Sequence, residues 1–132
     1  MQEAAAKRQP DPREPFAIQA HNIAKLSAVG IRMGFGTDSS AGWTAHVEMA
    51  DMVTAGMTPA QVIVAVTRTS AELLRLTDHG TVAAGKSASF IVLDANPLDN
   101  ITNTRRIARV YLRGTEVDRA ALRARWTGRA SP

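Results

Sequence analysis

Hydrophobic positions in this chain follow two regimes, helical spacing in the first half and short apolar runs in the second. Phe16, Ala20 and Ile23 recur at helical spacing, with Leu26 close to the same stripe. Pro15 suits a first helical turn and Gly30 a stop after Val29, so a helix is expected between them. Pro10 and Pro12 break any earlier helix. The period then changes to two. Ile31, Met33, Phe35 and Thr37 alternate with Arg32, Gly34, Gly36 and Asp38, which predicts a strand over 31–37 with one bulky face and one bare face. The bare face ends in a single carboxylate, Asp38, followed by a loop to about Trp43.

Helical spacing returns from about Thr44 to Ala55, where Val47, Met49, Ala50, Met52 and Val53 form the apolar side and Gly56 closes the element. Thr58-Pro59-Ala60-Gln61 reads as a complete capping box opening a helix over about 59–68. Thr69-Ser70-Ala71-Glu72 repeats that logic and predicts a separate short helix ending near Leu76. Beyond it the pattern is strand-like. Thr81-Val82 reads as a brief strand and Ala84-Gly85-Lys86-Ser87 as a turn. Phe90 to Asp94 is a continuous apolar run consistent with burial on both faces. After the Asn96-Pro97 turn, Ile107 to Leu112 alternates again, and Glu116-Val117 predicts a short strand. A helix over 118–132 fades into the end of the chain.

This order of helix, strand, three helices and short strands suits the closing units of a parallel α/β barrel beside a small β domain. In such barrels catalytic groups collect at the C-terminal ends of the strands, which makes Asp38 the candidate catalytic residue. Ser39, Trp43 and His46 follow in the loop and the next helix and are candidate substrate contacts. Each has a plainer reading: Asp38 as a turn residue, Trp43 as a cover for neighbouring helices, His46 as a capping or surface histidine. His21 reads as a surface or packed helix residue, and His79 as a turn residue. Gly85-Lys86 lacks the spacing of a phosphate loop.

Composition sharpens this picture in three ways. The 132 residues fall well short of the roughly 250 of a complete eight-stranded barrel, so only part of one is expected. Cysteine is absent, which removes disulfides and thiolate metal sites. The net charge of +4 comes largely from Arg105, Arg106, Arg109, Arg113, Arg119, Arg123, Arg125 and Arg129. These could face nucleic acid, but aromatic stacking residues are sparse beside them, so a solvated basic face is favoured. No apolar run is long enough to cross a membrane and no export signal is visible, so a cytoplasmic location and no membrane partner are expected.

Several short motifs, taken in order, resemble one family. They are Gly36-Thr37-Asp38-Ser39, His46 with Glu48, Ala55-Gly56-Met57-Thr58-Pro59, Gly80-Thr81-Val82, Gly85-Lys86, Phe90 through Leu98, Asn103-Thr104-Arg105 and Val110 through Gly114. Their order and spacing resemble the end of the amidohydrolase superfamily barrel, nearest its imidazolonepropionase-like and Xaa-Pro dipeptidase (prolidase)-like branch. Ser89 departs from the acidic residue common there. The resemblance implies the C-terminal portion of a TIM-like (β/α)8 metal-dependent hydrolase barrel plus strands of the accompanying small β-sandwich domain. The implied divisions are a linker over 1–14, the last barrel units over 15–77, part of the composite β domain over 78–118 and a basic tail over 119–132.

It also implies hydrolysis of a C–N bond in a cyclic amide or dipeptide, with zinc or another divalent metal. Asp38 would serve as metal ligand and as the base that deprotonates the attacking water. The family's His-x-His pair is missing, since His21, His46 and His79 stand apart. The chain by itself is therefore expected to be inactive and to hold no zinc tightly, and to self-associate or pair with a complementary barrel fragment. The alternatives are a non-enzymatic binding or assembly module derived from the hydrolase, and a basic nucleic-acid-binding domain.

Overall fold

A computed structural model describes residues 13–128, with side chains from Ile18 onward. Of the linker expected over 1–14, residues 1–12 with both prolines lie outside what it describes, as do the Phe16 side chain and Arg129, and residues 13–14 are already helical. Helix α1 spans Arg13–Ala28, with Ala20 and Ile23 half-buried. It ends where the sequence places the stop. Gly30 takes φ +78°, the Gly30 N–H donates to the Ser27 carbonyl, and the Ile31 N–H reaches back to the Leu26 carbonyl. That paired bonding closes a helix through a left-handed residue, which glycine adopts without penalty. Helix α2, Thr44–Thr54, ends the same way at Gly56.

Residues 31–39 carry no strand ladder, which corrects the expected strand over 31–37. A strand is defined by the neighbours it bonds, and among the described residues none lies beside this segment. Its alternation survives in part: Met33 and Phe35 pack against the core while Arg32, Gly34 and Gly36 stay exposed. Thr81-Val82 likewise forms no strand.

The two helices expected over 59–76 are one continuous run. Helix α3, Pro59–Val64, opens on the predicted capping box, with the Gln61 N–H donating to Thr58 Oγ1 at 3.2 Å and the Thr58 N–H donating to Gln61 Oε1 at 2.8 Å. It passes through a π turn, Ala65–Thr69, into α4, Ser70–Leu73. Thr69 has helical dihedrals and caps nothing. Ser70 opens no separate helix either, because the π turn runs straight into it and its hydroxyl donates to the Ala65 carbonyl five residues back at 2.7 Å. The run then closes at Arg75, which holds φ +58° while the Leu76 N–H bonds the Ala71 carbonyl.

Strands β1 (Phe90–Leu93), β2 (Ile107–Leu112) and β3 (Thr115–Glu116) form an antiparallel sheet in that order. Phe90 stacks on Tyr111 across the ladder, with ring centroids 4.8 Å apart. The expectation that the β1 run is buried on both faces does not hold, since Phe90, Ile91 and Val92 are 37–47% exposed. A 3-10 helix, Ile101–Arg105, joins β1 to β2, and α5, Arg119–Trp126, follows the sheet.

The core sits between α2, α3 and the 3-10 helix. Met49, Met52, Met57, Val62, Ala65 and Ile101 are buried together, with Ile23, Met33 and Phe35 packed against them. Ile101 belongs to the connection between β1 and β2, so that connection packs into the helical core. No helix among the described residues is long and apolar enough to cross a membrane.

Candidate functional site

Asp38 stands at the end of the 31–37 segment, and a small set of hydroxyl groups fixes that segment in place. The Phe35 N–H donates to Ser70 Oγ at 2.8 Å, while that hydroxyl's proton goes to the Ala65 carbonyl. The extra residue of the π turn brings Ser70 round to this position, a common use of such turns near functional sites. Gly34 lets the segment lie close to α4, since a Cβ there would come within 2.9 Å of Leu73 Cδ1. Arg32 pairs with Glu72 at 3.3 Å across the same contact. Both partners are exposed, so the pair guides more than it stabilises.

The loop after Asp38 is braced by its own hydroxyls. Thr44 Oγ1 donates to the Ala41 carbonyl at 2.6 Å, so its 3.3 Å contact with Thr37 Oγ1 takes the Thr37 proton. The Ser39 N–H donates to Thr37 Oγ1 and the Ala41 N–H to Ser39 Oγ, each at 3.2 Å. Threonine and serine side chains thus take over the backbone groups that a tight turn leaves without partners. The Asp38 carboxylate is exposed and, among the described residues, makes no hydrogen bond or ion pair. Ser39 is a brace in this arrangement. Trp43 precedes α2 and is 70% exposed, so it does not cover the neighbouring helices.

His46 is placed differently. It lies half-buried on α2, with Nδ1 3.1 Å from Thr104 Oγ1 of the 3-10 helix. Thr104 donates its proton to the Ile101 carbonyl at 2.8 Å, so Nδ1–H of His46 is the donor and Nε2 keeps its lone pair. Burial, and next the Arg105 guanidinium, hold the imidazole pKa below its ordinary value. His79 is a turn residue bonded to Asp78 at 2.7 Å, a contact that lowers the Asp78 pKa. His21 is exposed on α1. Ser70, Thr37, Thr44 and Thr104 were not singled out from the sequence for the roles they take. Their only advance signal is a hydroxyl beside an apolar stripe.

Arginines 105, 106, 109, 113, 119, 123 and 125 are all exposed. Arg109 reaches Tyr111 Oη at 3.5 Å and lies 3.9 Å from Glu116, contacts that raise its pKa, and the Arg119 guanidinium donates to the Ile107 carbonyl. Arg109, within β2, and Arg119, after the sheet, therefore both brace it.

A carboxylate such as Asp38 can bind a divalent cation through oxygen. A catalytic zinc takes about three protein ligands. Among the described residues no group of three His, Cys, Asp or Glu side chains is placed to hold a metal ion. Together the described residues do not make a metal centre, and Asp38 is a single oxygen donor among them.

The amidohydrolase family profile matches residues 7–117. Among solved structures, phenylurea hydrolase B is 28% identical with a TM-score of 0.70, the match covering 90% of this chain and 30% of that one. A Xaa-Pro dipeptidase with methionine bound in its active site is 29% identical, with a TM-score of 0.69 over 74% of this chain and 25% of its own. Molinate hydrolase is 31% identical, with a TM-score of 0.67 over 76% and 26%. The chain thus spans about a quarter to a third of the length of these structures. No curated protein matches it.

Proposed function

The chain belongs to the amidohydrolase family, and we propose that it supplies the aspartate-bearing C-terminal part of a hydrolase acting on C–N bonds. Its fold class is that of the family's last barrel units with a small antiparallel sheet. The substrate class is a cyclic amide or a peptide-like amide such as a dipeptide. The Xaa-Pro dipeptidase and the phenylurea and molinate hydrolases among the similar structures support that choice.

The observation that carries the reading is the setting of Asp38. Its segment is pinned by the Phe35–Ser70 hydrogen bond and its loop is braced by Thr37 and Thr44, while the carboxylate itself stays exposed and without a partner among the described residues. A carboxylate held in a fixed place with free oxygens suits general base work: it takes the proton of the attacking water and returns it to the leaving amine. Zinc or another divalent cation belongs to the assembled enzyme in this reading, and the chain alone is hydrolytically silent.

The test uses the purified chain with added zinc, assayed on an Xaa-Pro dipeptide and on a cyclic amide. No turnover is expected. Turnover that vanishes in Asp38→Ala would overturn the claim of silence and keep the role of Asp38. Turnover that survives Asp38→Ala would overturn that role. Fused to the remaining barrel units of a relative, the chain is expected to restore hydrolysis, and Asp38→Ala to abolish it.

A further inference from the structure

Helix α5 buries almost nothing of itself. It is fastened at its first turn, where the Ala121 N–H donates to the Asp118 carboxylate at 2.8 Å and the Arg119 guanidinium donates to the Ile107 carbonyl of β2. Along Arg119–Trp126 only Ala124 is half-buried, and every other residue is exposed. At about 3.6 residues per turn, Leu122 and Trp126 share one face and Ala124 lies on the opposite one. The Leu122–Trp126 ridge therefore points away from the body on which Ala124 rests. Leu122 is 45% exposed and Trp126 is 90% exposed. Arg119 and Arg123 border this ridge on one side, and Arg125 borders it on the other.

The surroundings are equally basic. Residues 105–132 hold eight arginines and two acids. Both acids are engaged within the protein: Glu116 accepts from Tyr111 Oη at 3.2 Å and lies 3.9 Å from Arg109, and Asp118 caps α5. No acid follows Asp118 in the sequence, so nothing along α5 offsets its arginines. The helix begins after residue 117, where the family match ends, and so stands outside the part of the chain that the family profile spans.

We infer that α5 lies on an anionic lipid surface, with Leu122 and Trp126 at the boundary between headgroups and acyl chains and the Arg123 and Arg125 guanidiniums at the lipid phosphates. Such a boundary takes both halves of the pattern, the apolar ridge and its cationic borders. The arginines reach outward along their own stems while the indole sits at headgroup depth. A nucleic acid would use the arginines and stack on Trp126, but it leaves Leu122 without a role. Lying on a membrane needs no spanning helix, so the lack of one among the described residues is no obstacle. The inference is independent of the hydrolytic reading, because no residue of the Asp38 loop takes part.

Sedimentation with vesicles tests it, using phosphatidylcholine alone and phosphatidylcholine mixed with phosphatidylserine. The chain is expected to pellet with the mixed vesicles and to stay in solution with phosphatidylcholine alone. In a Trp43→Phe background Trp126 is the sole tryptophan, and its emission is expected to shift to the blue as mixed vesicles are added. Arg123→Gln and Arg125→Gln should each weaken binding about fivefold, the share of one basic residue near an anionic surface. Leu122→Ala with Trp126→Ala should abolish capture and leave circular dichroism unchanged, because both side chains are exposed and alanine favours a helix. No capture by the mixed vesicles overturns the inference. So does capture that the double alanine variant leaves intact, since charge alone then explains it, or binding confined to DNA or RNA. Should the double variant fail to fold, the Trp126 emission decides, and an unshifted spectrum in the presence of mixed vesicles overturns the inference.

Discussion

Replacing Ser70 by alanine separates the Asp38 segment from the helices that hold it. The substitution deletes two hydrogen bonds, from the Phe35 N–H at 2.8 Å and to the Ala65 carbonyl at 2.7 Å. Their costs differ. The Ala65 carbonyl keeps the backbone N–H of residue 70 as a donor, so it loses little. The Phe35 N–H is part-buried and loses the partner that holds it against α4. Stranding a buried donor costs about 1–3 kcal/mol, and partial exposure puts this one in the lower half, about 1–2 kcal/mol. For a urea slope of about 2 kcal/mol per molar, the midpoint should fall by roughly 0.5–1 M with the slope unchanged. Thr54→Ala is the control. Its hydroxyl bonds the Ala50 carbonyl at 3.0 Å from an exposed position, so its loss should stay within about 0.5 kcal/mol. Hydrogen exchange at the Phe35 amide reads the same bond directly and should speed up in Ser70→Ala alone. An unchanged midpoint with unchanged Phe35 exchange would refute the claim that this hydroxyl anchors the segment.

Other substitutions probe the frame around the site. Arg75→Gly should stabilise the chain by about 1 kcal/mol in urea unfolding, because Arg75 holds φ +58° and makes no side-chain bond among the described residues. Thr58→Ala should cost about 1 kcal/mol by opening the capping box at the start of α3. Stability should fall on acidification through the histidine range. The folded His46 pKa lies below the ordinary value of 6.5, so the unfolded chain binds its proton first. The stabilisation is whole above 6.5 and drains away as pH falls from there towards the folded pKa; thermal unfolding across that window should show the slope, and His46→Gln should flatten it.

Elements whose signals are local were legible in the sequence. The capping box at Thr58, the stops at Gly30 and Gly56, the β1 and β2 runs and the helix through Met49 and Met52 all stand where their residues place them. What failed depended on residues far away or absent. The alternation of Ile31 to Thr37 holds only at Met33 and Phe35, since Ile31 and Thr37 are exposed, and a ladder needs strands beside it, of which the described residues provide none next to this segment. Thr69 and Ser70 imitate a capping signal, but Ser70 spends its hydroxyl on the π turn and the chain runs straight through. The third helix stop could not be found by looking for glycine, because an arginine occupies it. At the site, the sequence reading put Asp38 at a strand end, whereas it follows a segment that carries no ladder. The contact between His46 and Thr104 was not legible, since 58 residues separate the two.

The interior of this protein is rich in thioethers. Met49, Met52 and Met57 make up half of the buried cluster, and the chain has no thiol to intercept an oxidant before them. Peroxide reaches these largely buried sulfur atoms mainly when the fold opens, and each sulfoxide then puts a polar oxygen where the packing has no place for one. The rate at which their masses rise in dilute peroxide is therefore a clock of how often the fold breathes.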